Sequence, residues 1–260
     1  MTVIEQAVDA LQKAKKVVFF TGAGISADSG IPTYREKLSG IWTGYDPRDL
    51  ETAKAFRENP ALVWGWYLWR RLRVAQAEPN AAHLAISHMA DSQRQVSVIT
   101  QNIDDLHERA GSLDVVHLHG SLAFPKCFAC HRTAVISPDQ CAVSDHGDLI
   151  EPPRCQRCNG KMRPAVVWYG EDLPSQAWKA AVHLVKNCDL LVSVGTSGIV
   201  MPAASLPDLA LASGASVIHV NKADVAMGEQ KEFMLMGAAA DVLPMLLERI
   251  EAGKSWGVEL

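Results

Sequence analysis

The sequence predicts an α/β fold, a Rossmann-like doubly wound parallel sheet, on three observations. Short runs rich in Val and Ile recur at Val17 to Thr21, Val96 to Thr100, Val115 to Leu118, Leu190 to Val194 and Ser216 to Val220. Helical stretches, among them Asn80 to Ser92 and Ser175 to Asn187, separate several of these runs, and that alternation is the pattern of a parallel sheet covered on both faces. The polar clusters GAGIS, QNIDD, HG, GTSG and NKAD each begin where a strand candidate ends, which is where open α/β sheets bind ligands.

Taken in order, the chain begins with MTVIEQAVDALQKAKKVVFF, an amphipathic helix pattern running into the first strand. It lacks the apolar core and small-residue cleavage site of a signal peptide. The first strand candidate, VVFFT, stops at Gly22 and hands over to a glycine-rich turn. Two stretches interrupt the alternation: Arg35 to Gln76 is tryptophan-rich and helical in pattern, and Ala123 to Pro164 carries cysteines among Pro, Asp and Arg. The expected division is a sheet domain from 1–34, 77–122 and 165–260, a helical insertion with a cofactor-binding loop at 35–76, and a small module at 123–164.

A chain of 260 residues has room for one large domain plus such a module. The formal charge of −4 provides no basic excess to track a phosphate backbone, so nucleic acid is excluded as a first reading. No apolar run approaches the roughly 20 residues that span a bilayer. The expectation is a cytoplasmic, monomeric protein.

Four of the six cysteines form Cys127-x-x-Cys130 and Cys155-x-x-Cys158, a C-x2-C-x24-C-x2-C spacing. Two such knuckles can close a tetrahedral four-thiolate zinc site, and a shell of four sulfurs leaves no position for water, so the zinc is read as structural. A redox pair would need a thioredoxin-like βα setting that is missing. Cys141 and Cys188 are read as a loop thiol and a buried thiol.

Gly22 to Ala27 fits G-x-G-x-x-A after a strand, the context of a dinucleotide fingerprint. Glycines there let the main chain turn tightly and bring its N–H groups against a pyrophosphate. A plain strand-to-loop turn fits the same residues. No acidic residue closes a second βα unit about twenty residues on to hold a ribose; Asn221, at the end of a late strand, is the alternative.

Read together, GAGISADSGIPTYR (Gly22 to Arg35), TQNIDDLHERAG (Thr100 to Gly111), HLHGS (His117 to Ser121), VVWYGEDLP (Val166 to Pro174), GTSG (Gly195 to Gly198) and HVN (His219 to Asn221) resemble the sirtuin signature in its family order. The resemblance covers nearly the whole chain and implies NAD-consuming lysine deacylation of proteins or peptides. It implies cofactor contacts at Gly22, Ala23, Gly24, Ile25, Ser26, Gly195, Thr196, Ser197, Asn221 and Ala239. Tyr34 and Arg35 close a loop over the cofactor, and Gln101, Asn102, Ile103 and Asp104 form the nicotinamide pocket, with Asn102 and Asp104 assisting catalysis. Asp28, Tyr34 and Tyr169 depart from the family's usual Glu, Phe and Phe.

Among nine histidines, His83, His88 and His107 are read as structural, whereas His119 precedes Gly120 at a strand end and matches the family's catalytic His-Gly. An imidazole with an ordinary pKa near ~6.5 accepts a proton at neutral pH. The implied role is base toward a ribose hydroxyl, after the acyl oxygen has displaced nicotinamide, leading to free lysine and O-acyl-ADP-ribose.

Tyr67 and Arg70 stand three apart on a helix and project from one face. As an isolated pair they read as a core aromatic beside a solvated arginine. Within the resemblance they match the Y-x-x-R of the branch that removes malonyl, succinyl and glutaryl groups, whose distal carboxylate a guanidinium and a phenol can bind. Val167, Tyr169 and Gly170 are implied to grip the peptide as an added strand. Plain deacetylation, mono-ADP-ribosyl transfer and a non-catalytic NAD-sensing or zinc-mediated module remain the rival readings.

Overall fold

The computed structural model describes residues 1–31, 40–91 and 93–255. Among these residues the strands are β1 (Lys16–Thr21), β2 (Gln95–Thr100), β3 (Val115–His117), β4 (Gly120–Cys127), β5 (Met162–Val166), β6 (Leu190–Val194), β7 (Ser216–Asn221) and β8 (Glu232–Met236). The helices are α1 (Val3–Lys13), α2 (Ala23–Ser26), α3 (Pro47–Leu50), α4 (Ala53–Glu58), α5 (Pro60–Gln76), α6 (Ala81–His88), α7 (Leu106–Arg109), α8 (Ser175–Lys186), α9 (Leu206–Ala212) and α10 (Ala239–Ser255).

One sheet runs β3-β2-β1-β6-β7-β8, parallel throughout. Counting its six strands in chain order gives 3-2-1-4-5-6, the doubly wound order, with the direction of winding reversing between β1 and β6. β1 shows why the strands read as continuous apolar runs. Val17 and Phe19 pack on one face with Leu11 of α1, Ile86 of α6 and Leu243 of α10; Val18 and Phe20 pack on the other with Val185 of α8 and Ala210 of α9. Side chains alternate between faces, so a strand buried on both sides draws apolar residues at successive positions.

The five strand candidates agree with β1, β2, β3, β6 and β7 to within one residue at either end. Two helix bounds need correction: the helix expected to reach Ser92 ends at His88, and the one expected to reach Asn187 ends at Lys186. Asn80 is the N-cap of α6 rather than its first turn; its Oδ1 accepts from the Ala82 N–H at 2.9 Å. β4, β5 and β8 were not anticipated. β8 is an edge strand of half-buried residues, and β4 carries Pro125 and a register shift against β5, so neither presents the β-branched run of a central strand.

β4 and β5 pair antiparallel, from Gly120 opposite Val166 to Cys127 opposite Met162, and carry the chain into and out of the cysteine module. In the insertion, Asn59 caps α5 by accepting from Leu62 N, and Pro60 takes its first position. Trp66, Tyr67 and Trp69 pack with Trp42, Phe56 and Trp168 in a core separate from the sheet. Gly65 lets α5 meet the module, because a Cβ there would lie 1.9 Å from the Asp148 carbonyl oxygen. No described helix is long and apolar enough to cross a membrane.

Candidate active site

The reversal of winding between the parallel strands β1 and β6 brings the Gly22 turn against the Gly195 turn. Gly22 N–H donates to the Val194 carbonyl (3.0 Å) and Gly24 N–H to the Gly195 carbonyl (2.9 Å). A Cβ at Gly24 would sit 2.7 Å from Gly195 Cα, and one at Gly22 would sit 2.9 Å from Gly195 O. The Gly22 and Gly24 N–H groups bind the two turns together, and both glycines serve this close backbone approach. Ile25 does not line the cavity over these turns. Its side chain is fully buried in the sheet core and its N–H bonds Gly22 O at 3.1 Å, so it supports the turn from behind.

A cavity of about 890 Å³ opens over this junction. It is lined by Gly22, Ala23, Gly24 and Ser26; by Gln101 to Asp104 after β2; by Gly195, Thr196 and Ser197 after β6; and by Asn221 and Ala239. Tyr67, Arg70, His119 and Val167 to Gly170 line the same cavity. The structure gathers the catalytic, cofactor and substrate residues expected from the sequence into one space, apart from Ile25, and apart from Tyr34 and Arg35, which lie outside the described residues; the four cysteines of the expected metal site lie elsewhere.

Ser26 and Asn102 join the first two groups. Asn102 Nδ2 donates to Gly22 O (3.1 Å) and Ser26 Oγ (3.1 Å), while Ser26 Oγ donates to Asp104 Oδ2 (3.1 Å). Burial raises the Asp104 carboxyl against bonds from Leu106 N–H and Ser26 that lower it. Asn221 acts likewise on the other side, its Nδ2 donating to Thr196 O at 2.8 Å. Such bonds fix loops whose own backbone has no sheet partner.

His119 stands on the turn between β3 and β4, and the next residue must be glycine. Gly120 has φ 77°, and a Cβ there would lie 2.1 Å from Ala165 O. The His119 Nδ1 lies 3.0 Å from the Gln101 carbonyl oxygen, which only accepts, so Nδ1 carries the proton and Nε2 keeps its lone pair. Burial lowers the His119 pKa more than the Gln101 bond raises it, which favours the neutral ring. His83 and His107 are buried against each other, ring centroids 4.9 Å apart, and desolvation pushes them down to about 4 and about 3. His107 Nε2 meets Thr21 Oγ1 at 3.0 Å.

At the far end, Tyr67 Oη accepts from Trp168 Nε1 at 3.0 Å, and Trp168 is held in turn by the Arg163 guanidinium stacked 3.3 Å from its ring centroid. Arg163 pairs with Glu171. Arg70 is not the solvated arginine of the simplest expectation. Its side chain is 16% exposed and its Nη1 lies 2.5 Å from Glu51 Oε1. Glu51 was missed by sequence reasoning, and no motif marks it. The Val167 and Tyr169 N–H groups bond His119 O (2.8 Å) and Glu51 O (2.9 Å), which ties the expected peptide-binding segment to both.

The Sγ atoms of Cys127, Cys130, Cys155 and Cys158 all lie within 4.8 Å of one another, with Cys127 to Cys158 at 3.5 Å and Cys130 to Cys155 at 3.8 Å. A tetrahedron with Zn–S bonds of about 2.3 Å has edges of about 3.8 Å, so the residues fit a structural zinc. The N–H groups of Cys158 and Arg157 point at the Cys155 sulfur and lower its pKa, while at Cys158 the Gly160 N–H is outweighed by the neighbouring thiols, which raise its pKa, as expected of sulfurs crowded together. The other thiols do not join: Cys188 is pushed up to about 11 by burial, and Cys141 packs in the module's apolar cluster.

Comparison with known proteins agrees with this geometry. A protein of Pseudomonas putida (strain KT2440) named NAD-dependent protein deacylase is 65% identical over 248 residues, covering 95% of each chain. A crystal structure of a Sir2 homologue in complex with NAD superposes with TM-score 0.84 at 36% identity, covering 96% of this chain and 94% of that one. A complex of Sir2 with a p53 peptide and NAD+ superposes with TM-score 0.78 at 29% identity, covering 98% and 100%. The model of the Sir2 family matches residues 22–202, from the first glycine turn past the GTSG turn, and with that span the chain belongs to the Sir2 family.

Proposed function

We propose that this protein is an NAD-dependent protein lysine deacylase whose acyl range extends from acetyl to succinyl and malonyl, releasing nicotinamide and O-acyl-ADP-ribose. The observation that carries the reading is His119, held as a neutral ring with Nε2 unprotonated, in a cavity shared by the glycine turns and by Tyr67 and Arg70. NAD, when bound, supplies an activated bond between nicotinamide and ribose. Gly22, Ala23, Gly24, Gly195, Thr196, Ser197, Asn221 and Ala239 would hold its nucleotide portion, and Gln101 to Asp104 its carboxamide. His119 Nε2 takes the proton from a ribose hydroxyl, and the Gln101 carbonyl stabilises the ring that results. Val167, Tyr169 and Gly170 bear the peptide of an acyl-lysine protein.

Support for the acidic-acyl range is a guanidinium and a phenol, both largely buried and both lining the cavity. The Arg70–Glu51 pair favours a second reading, a plain deacetylase in which Arg70 is structural. Arg70→Met separates the two. Loss of one charge-assisted bond predicts a fall of about ten- to a hundredfold in kcat/KM for a succinyl peptide beyond any fall for its acetyl counterpart. Equal losses on both peptides would leave the second reading.

A further inference from the structure

Glu51 ends the short helix α3, and two backbone bonds fix it there. Its N–H donates to Pro47 O at 3.1 Å, and its carbonyl accepts from Tyr169 N–H at 2.9 Å. The next residue, Thr52, caps α4 and bridges to Tyr169. The carboxylate is thus carried to one place by the same segment that lies beside the peptide site. Its side chain is 7% exposed, lines the cavity with Tyr67 and Arg70, and sits on the guanidinium at 2.5 Å.

We propose that Glu51 is a specificity-determining residue of the acyl pocket, a built-in counter-ion that occupies Arg70 and must be displaced or shared before the distal carboxylate of an acidic acyl group can bind. The proposal rests on the reading of Arg70 as the acyl-carboxylate partner. The Arg70 guanidinium already faces the Glu51 carboxylate; a distal acyl carboxylate brought to the same guanidinium would stand beside a like charge where little water is present to screen it. Acetyl brings no charge and meets no such opposition. Glu51 therefore narrows the preference for succinyl and malonyl that Arg70 alone would confer, and keeps the pocket open to neutral acyl groups.

The test is the ratio of kcat/KM for succinyl and acetyl forms of one peptide, in the wild-type enzyme, Glu51→Gln, Arg70→Met and the double variant. The Glu51→Gln change removes the charge but leaves an amide oxygen to accept from the guanidinium. The ratio should rise about tenfold or more in E51Q, since like charges juxtaposed in a binding contact oppose association; the change should lie in the KM of the succinyl peptide. In the R70M background the ratio starts lower, and E51Q should still raise it, because the Glu51 carboxylate opposes the acyl carboxylate with no guanidinium to offset it. Glu51→Ala should move the ratio the same way, and a thermal melt establishes that each variant is folded. An unchanged or lower ratio in both Glu51 variants overturns the proposal. If R70M still lowers the ratio in that case, the acidic-acyl reading survives alone; if no variant moves it, both fall.

Discussion

The His119 Nδ1 faces the Gln101 carbonyl oxygen at 3.0 Å, and this single contact decides which nitrogen of the ring can act as base. Because burial holds the ring's pKa below its ordinary value, Nε2 is unprotonated across the neutral range. The acid limb of a kcat/KM profile should accordingly fall below pH ~6.5. His119→Ala should reduce deacylation by about 10²- to 10⁴-fold while retaining binding of ADP-ribose, measured by calorimetry. A variant that keeps full turnover would remove His119 from the role.

Gly24→Ala should act on the cofactor end. Its new methyl would meet Gly195 Cα at 2.7 Å and Gly195 O at 2.8 Å, both backbone atoms that cannot rotate aside. Forcing the two turns apart should cost about 1–3 kcal/mol and raise the KM for NAD by about tenfold or more. Unchanged NAD kinetics would mean that the interlocked turns do not shape the nucleotide site.

Stability should depend on pH through His83 and His107. Both are buried as neutral rings, at about 4 and about 3, against ~6.5 in an unfolded chain. Below pH ~6.5 the unfolded state binds more protons than the folded one, so stability is full above that pH and declines as pH falls toward the folded values. By pH 5 the loss should be about 2 kcal/mol for each histidine, read from urea titrations, and His107→Gln should flatten the slope. A flat wild-type profile would contradict this.

The cysteine module should be unfolded by metal removal. One zinc ion per chain is expected by elemental analysis, and a strong chelator or Cys130→Ser should lower stability by more than about 3 kcal/mol, since structural zinc sites supply apparent energies of about 10 kcal/mol or more. Activity should fall with it, because β4 and β5 connect the module to Gly120 and to Val166 beside the acyl pocket. Full stability after metal loss would assign the cysteines elsewhere.

What could be read in advance divides along physical lines. The central strands were legible because burial on both faces demands runs such as VVFFT and LLVSV, and the metal cluster because thiolate spacing within each knuckle is local. The glycine turn after the first strand is legible as a turn, but the bonds that its Gly22 and Gly24 N–H groups make are not. They depend on the turn at Gly195, 173 residues away from Gly22 in the chain yet hydrogen-bond close through Gly24. Glu51 was illegible for the same reason: a glutamate after a short helix reads as solvated, and only the fold of α3 against α5 brings it onto Arg70. β8 lacked signal because a half-buried edge strand does not demand a pattern, and β4 because Pro125 and a register shift interrupt it.

The most direct test of the central claim is the stoichiometry of one reaction: an acyl-lysine peptide incubated with the zinc-loaded protein, with and without NAD, scoring nicotinamide and freed lysine peptide together. The account predicts no freed peptide without NAD, and one nicotinamide for each lysine freed with it. Lysine freed without NAD, or nicotinamide released while the acyl group stays on the peptide, would contradict it.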